Sequence, residues 1–107
     1  MTQRIVQTEV FTEEKPLYTA PAGVRGISFI RAGNDTGAAI TVHLRLVSPD
    51  EVDDPTRVVK VWPAIQVDAS GGVVDDDTWW PMQEGWQLSG YASAVGLALI
   101  LVEVSIP

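Results

Sequence analysis

The stretch Ile40-Thr41-Val42-His43-Leu44-Arg45-Leu46 alternates apolar and polar side chains at every residue. Successive side chains of a β-strand point to opposite faces, so this pattern predicts a strand with one face on a core. Working outward along the chain, similar short apolar runs are separated by Gly, Pro, Asn and Asp at intervals of roughly 8–12 residues. The sequence therefore predicts an all-β fold, an antiparallel two-sheet sandwich of about eight strands with a jelly-roll-like arrangement.

The length predicts a single domain, because 107 residues suffice for one hydrophobic core and not for two. We expect one β-sandwich domain over residues 16–107, preceded by residues 1–15 as an N-terminal arm or edge strand. The chain has no cysteine, which excludes disulfides and thiolate chemistry and leaves the redox compartment open. Arg4, Glu9, Glu13 and Glu14 interrupt the early apolar runs, so no secretory signal is expected.

The charge balance bears on the possible partners. Fourteen acidic against seven basic residues give a net charge of −7, which opposes nucleic-acid phosphates and anionic membrane surfaces. The most apolar stretch, residues 95–102, is far shorter than the roughly 20 residues of a membrane helix. We therefore expect neither a nucleic-acid nor a membrane partner.

Turn residues suggest how neighbouring strands connect. Residues 34–37 (Asn-Asp-Thr-Gly) tolerate positive φ and predict a hairpin between the run from Val24 to Ala32 and the strand that starts at Ile40. Pro63 lies in the middle of the run from Arg57 to Val67, and proline cannot donate to a β-ladder. That strand is predicted to be bent or split at Pro63.

The last strand is apolar on both faces. One row is predicted to line the core: Ala98, Ile100, Val102, Val104 and Ile106. The opposite row, Leu97, Leu99 and Leu101, then leads to Glu103 and would face solvent in a small sandwich. We predict that this leucine row is a subunit contact; the alternative is a strand that curls beneath a loop of its own subunit.

The pair Trp79-Trp80 is the most unusual local sequence among four tryptophans. Adjacent strand residues face opposite ways, so one ring is expected in the core and the other outside. An exposed tryptophan offers a large apolar area and one hydrogen-bond donor. Three roles stay open: core packing, a protein interface that uses Trp79 and Trp80, and stacking on a sugar.

Catalytic and metal-binding residues are not predicted. His43 is the only histidine and lies on the polar face of its strand, where a solvated side chain is expected. Two clusters of acidic residues could attract calcium: Asp50, Glu51, Asp53 and Asp54 form one, and Asp75, Asp76 and Asp77 form the other. Neither cluster has the spaced ligand pattern of a calcium loop. We therefore expect these clusters to lie in solvated loops, and we expect no cofactor. Of the functions considered, a hydrolase has the least support in the sequence.

Four segments between Leu17 and Ile106 form an ordered set of motifs: Leu17-Tyr18-Thr19-Ala20-Pro21-Ala22-Gly23, the turn at residues 34–37 before Ile40-Thr41-Val42-His43-Leu44, Ser70-Gly71-Gly72, and Met82-Gln83-Glu84-Gly85-Trp86-Gln87-Leu88-Ser89-Gly90 before a strand ending Val102-Glu103-Val104. This order of motifs resembles that of small β-sandwich structural proteins of tailed-phage particles. Trp86 stands where the family usually has Asp. The resemblance implies a virion module of the head, a fibre, the tail or its junction, without catalytic residues and commonly trimeric.

The predicted function is a non-enzymatic virion structural protein that acts through protein–protein interfaces. Its expected partners are further copies of itself, with a trimer favoured, and capsid or tail components. The expected location is the virion, assembled in the host cytoplasm. The alternative is a carbohydrate-binding module that recognises host-surface glycans.

Overall fold

The computed structural model describes residues 2–48 and 59–105, with the backbone alone at positions 59 and 60. The predicted acidic cluster of Asp50, Glu51, Asp53 and Asp54 lies outside the described residues. Nine strands form within the described ranges: β1 (Thr2–Val10), β2 (Lys15–Thr19), β3 (Val24–Asn34), β4 (Ile40–Val47), β5 (Val59–Val67), β6 (Gly72–Asp76), β7 (Trp80–Pro81), β8 (Gln87–Ala92) and β9 (Leu97–Ser105).

The strands build two antiparallel sheets. The larger sheet has the order β1-β9-β3-β6, with the two-residue β7 also paired to β3, and the smaller has the order β2-β8-β4-β5. Without β7, the first strand pairs with the last, the second with the seventh, the third with the sixth and the fourth with the fifth. This nested pairing is the jelly roll, so the predicted fold class is confirmed.

The core lies between the two sheets and is built by alternating side chains. Ile40, Val42, Leu44 and Leu46 of β4 are all buried in it, as their alternation predicts. Gly90 of β8 lies against β4 so closely that a Cβ built there would come within 2.3 Å of the His43 carbonyl oxygen. The alternation of β4 therefore predicts correctly which of its side chains are buried in the core.

The predicted orientation of β9 is wrong. Leu97, Leu99 and Leu101 are 0% exposed and lie in the core, so they are not a free surface for another subunit. β9 lies between β1 and β3 in the larger sheet, and its leucine face is covered by the smaller sheet of the same chain. Alternation separates the two faces of a strand but does not state which face meets the core, and here the larger side chains are inside.

The turn at residues 34–37 does not close a hairpin. β3 and β4 belong to different sheets, so the chain crosses the sandwich here. Asn34 is buried, and its side-chain amide donates to the carbonyl oxygens of Ala38 and Val67 at 2.9 and 3.1 Å. Its Oδ1 accepts from the Thr36 backbone N–H, so a polar side chain anchors the crossing.

Two strands at sheet edges bear on the sequence predictions. β5 is an edge strand that runs from Val59 to Val67 and is not split at Pro63, but its pairing with β4 shifts register on both sides of Leu44, opposite the segment that contains Pro63. At the other end of the fold, β1 pairs with β9 from Thr2 to Val10. Of the two alternatives for the N-terminal residues, the structure shows an edge strand, and it belongs to the same sandwich.

Candidate interaction surface

The outer face of the larger sheet, which points away from the smaller sheet, is the main candidate surface. The pairing registers place four rows of side chains across it: Gln3, Val104 and Gly26; Ile5, Val102 and Phe29; Gln7, Ile100, Arg31 and Asp75; Glu9, Ala98, Gly33 and Val73. Apolar residues dominate the centre of these rows. This surface is called the outer face below.

Several apolar side chains of the outer face are in contact with solvent. Ile5 is 66% exposed and Val73 is 54% exposed, while Phe29, Ile100 and Val102 are half-buried. The structure therefore confirms that β9 is apolar on both sides, although the uncovered side is the row of Ile100 and Val102. Contiguous exposed apolar surface of this kind marks contact sites, whereas isolated exposed residues need no explanation.

Trp79 extends the outer face, and a glycine makes room for it. A Cβ built on Gly26 would come within 2.8 Å of the Trp79 ring and 2.5 Å of the Trp80 carbonyl oxygen. Only a residue without a side chain lets the ring lie this close to β3. Trp79 remains 46% exposed, while Trp80 pairs with Ile27 and packs against the core. The expected split of the tryptophan pair into one inner and one outer ring is confirmed.

One ion pair lies on the outer face. Arg31 Nε and a terminal nitrogen of its guanidinium contact the two carboxylate oxygens of Asp75 at 2.6 and 2.9 Å. The hydrogen bond from Arg31 holds the pKa of Asp75 below its ordinary value, and the same bond raises the pKa of Arg31. Both charges are thus already satisfied by each other within the sheet.

The neighbouring Asp76 points the other way. Trp62 Nε1 donates to its carboxylate at 2.8 Å, and the Thr78 backbone N–H donates at 2.8 Å. Partial burial opposes the ionisation of Asp76, but these hydrogen bonds outweigh it and lower its pKa. Asp75 and Asp76 make their contacts on opposite faces of the sheet, so they do not combine into one cation site. Within the described ranges, no three His, Asp or Glu side chains are grouped closely enough to hold a metal.

A buried carboxylate at the end of the leucine row was not foreseen. Glu103 is 5% exposed, accepts a hydrogen bond from the Tyr18 hydroxyl and pairs with Arg4 Nε at 2.7 Å. Burial raises the pKa of Tyr18, and the hydrogen bond to Glu103 adds to the increase. Tyr18 belongs to the smaller sheet and Glu103 to the larger one, so the bond ties the two sheets together. A glutamate in phase with three core leucines is the sequence signal for it.

His43 lies on the outer side of the smaller sheet. Its ring stacks on Tyr91 of the adjacent strand, with the centroids 4.4 Å apart and the planes 10° from parallel. Arg45 pairs with Glu14 beside it, and these residues border a cavity of about 200 Å³. His43 therefore lies on the polar face of its strand, as the sequence predicts, and it is half-buried there with Tyr91 as a packing partner.

A second, open groove lies between the start of β3 and the segment after β7. It has a volume of about 590 Å³ and includes Trp86, Met82, Arg25 and Glu84 in its lining. One positive and one negative side chain border it, and the rest of its named lining residues are neutral. Separately, no helix in the described part of the chain is long and apolar enough to cross a membrane.

Taken by its fold and surface, the chain is a jelly-roll domain whose larger sheet presents an exposed apolar outer face. No protein-family model, curated protein or solved structure matches it.

Proposed function

We propose that this chain is a non-enzymatic structural protein of a tailed-phage particle, located in the head, a fibre or the tail and acting through protein–protein contacts. The observation that carries the proposal is the exposed apolar outer face of the larger sheet, centred on Ile5, Phe29 and Val102. Covering this face in an assembly removes apolar surface from water, which is favourable by about 25 cal/mol per Å².

The composition of the outer face suits a protein partner. Aromatic residues are enriched in protein interfaces, and Phe29 and Trp79 supply them here. The charged pair on this face, Arg31 and Asp75, is mutually neutralised, so covering it leaves neither charge without a partner. With a net charge of −7, the chain is poorly suited to binding nucleic acid by comparison.

Two further observations agree with a particle protein. Jelly rolls recur among viral capsid domains, although they also occur in lectins and cupins. The motif order from Leu17 to Ile106 resembles virion modules, and the partners proposed on that basis are further copies of this chain and other capsid or tail proteins. Assembly would take place in the host cytoplasm.

The test is incorporation into particles of a phage that encodes this chain. Mass spectrometry of purified particles should detect the chain, and the variant Val73→Lys should be incorporated less well because it places a charge on the outer face. Val95→Lys is the matched control, since Val95 is 63% exposed but lies in the turn before β9. Absence of the chain from particles, or equal incorporation of both variants, would contradict the proposal.

The second candidate is a carbohydrate-binding module, favoured by the exposed ring of Trp79. A tryptophan ring with one free face is a common platform for a sugar. A glycan array probed with the wild-type chain and with Trp79→Ala separates the two functions. Specific binding that the Trp79→Ala variant loses would favour the carbohydrate-binding module, whereas the structural proposal predicts no specific signal.

A further inference from the structure

Within the described residues the two sheets have four edges, and three of them carry features that hinder pairing with another strand. β2 has only five residues, contains Pro16 and shifts register against β8. β5 contains Pro63 and shifts register twice against β4. β6 also has only five residues, two of which are Asp75 and Asp76. Short length, proline, irregular register and charge are the usual means by which proteins protect such edges.

The fourth edge, β1, is longer and more regular than the other three. Its nine residues pair with β9 in one unbroken register, the strand contains no proline, and its two charged residues are of opposite sign, Arg4 and Glu9. Among the residues that the structure describes, no strand pairs with the other side of β1. That side, called the β1 edge, therefore presents unpaired backbone N–H and C=O groups next to Ile5, whose side chain is 66% exposed.

We propose that the β1 edge is a homodimer contact in which the β1 strands of two copies pair antiparallel about a two-fold axis. The larger sheets of the two copies then form one continuous sheet. The biological role of this contact rests on the proposed function, which names further copies of this chain among its partners. A second copy is the occupant we infer, because a two-fold axis pairs this regular nine-residue edge with an identical one and the charges along β1 are compatible with that pairing.

The charges of β1 agree with self-pairing. A two-fold axis perpendicular to the sheet places the core-facing side chains of both β1 strands on the same side of the continuous sheet. When the two strands overlap over their full length, Val6 lies opposite the partner subunit's Val6. In that register Arg4 lies opposite Thr8, and Gln3 lies opposite Glu9. Neither Arg4 nor Glu9 meets its own copy, so the like-charge contacts that destabilise strand pairs are avoided.

The same register also covers the exposed isoleucine. Ile5 lies opposite the partner subunit's Gln7 and diagonal to the partner subunit's Ile5, within reach of a cross-strand contact. The outer faces of the two copies then lie side by side and form one wider apolar surface for other particle proteins. A two-fold pair, rather than the trimer implied by the resemblance, is what this edge geometry favours.

The first experiment measures mass in solution on the full chain by light scattering after size exclusion, over a range of concentrations. The wild-type chain should reach twice its mass of 11.6 kDa. Ile5→Lys, which places a charge beside the β1 edge, should weaken the dimer about tenfold or more. Val95→Lys should leave it unchanged, and so should Val73→Lys, because Val73 lies at the far edge of the same sheet.

The second experiment tests the register, using the absence of cysteine from the chain. In the proposed pairing the two copies of Val6 have Cα atoms about 5 Å apart, which suits a disulfide. Val6→Cys should therefore form cross-linked dimers on mild oxidation. Gln3→Cys on the same strand should not, because the two copies of Gln3 would be about 20 Å apart.

The proposal is overturned if the wild-type chain stays monomeric, if it has the mass of a trimer, or if both cysteine variants cross-link equally. These outcomes leave the proposed function standing when the chain is still found in purified particles. Conversely, a dimer of the predicted register in a chain absent from particles overturns the proposed function alone.

Discussion

Replacing Leu99 by alanine tests the orientation of β9, on which the location of the candidate surface depends. Leu99 is 0% exposed at the centre of the larger sheet, between β1 and β3. Removing a buried leucine side chain costs its transfer free energy and leaves a cavity, typically about 2–5 kcal/mol in total. For a central position we expect about 3 kcal/mol, equivalent to a decrease in melting temperature of about 10–20 °C for a domain of this size.

Ile100→Ala is the matched control, one residue further along the same strand. Ile100 lies on the outer face and is half-buried, so its truncation should cost about 1 kcal/mol or less. Urea unfolding of both variants at one protein concentration measures the two free energies, and the midpoint should shift without a change in the denaturant slope. Equal costs, or a larger cost for Ile100→Ala, would refute the orientation of β9 described here.

The remaining predictions concern the polar tie between the sheets and the support of the outer face. Tyr18→Phe removes a hydrogen bond to the buried carboxylate of Glu103 and should lower the free energy of unfolding by about 2 kcal/mol, measured by urea unfolding at pH 7. Folding raises the pKa of Tyr18, so above the ordinary tyrosine pKa of about 10 the wild type should lose stability relative to Tyr18→Phe. The loss should be about 1.4 kcal/mol per pH unit until the folded-state pKa is reached. A difference in stability that stays constant across this range would contradict the assignment. Gly26→Ala forces both the Trp79 ring and the backbone at Trp80 to move, so it should cost about 1–3 kcal/mol and shift tryptophan emission to the red. Gly33→Ala, which has no atom within 4 Å of the added Cβ, should cause no such shift.

The alternation of β4 was enough to predict its conformation and its buried face. Ile40, Val42 and Leu44 are separated by polar residues, so one assignment of the faces is clearly better than the other. β9 offers no such contrast, because Leu99 and Ile100 are both apolar. Glu103 made the wrong face look like the outer one, although its charge is accommodated in the core by Tyr18 and Arg4.

Contacts between residues distant in sequence explain the other differences between the sequence predictions and the structure. The turn after Asn34 has the residues of a hairpin, but local turn chemistry does not specify which sheet receives the next strand. That choice depends on contacts distant in sequence, such as the bond from Asn34 to the Val67 carbonyl. The fit of Trp79, which precedes β7, over Gly26 of β3 joins residues distant in sequence and likewise has no local signal.

The central proposal is that the outer face of the larger sheet is covered by protein in an assembled phage particle. A cryo-electron microscopy map of particles that contain this chain tests it most directly, at a resolution that identifies the jelly roll. We predict density of another polypeptide against Phe29, Ile100 and Val102. A map in which these side chains face solvent in every copy would contradict the claim.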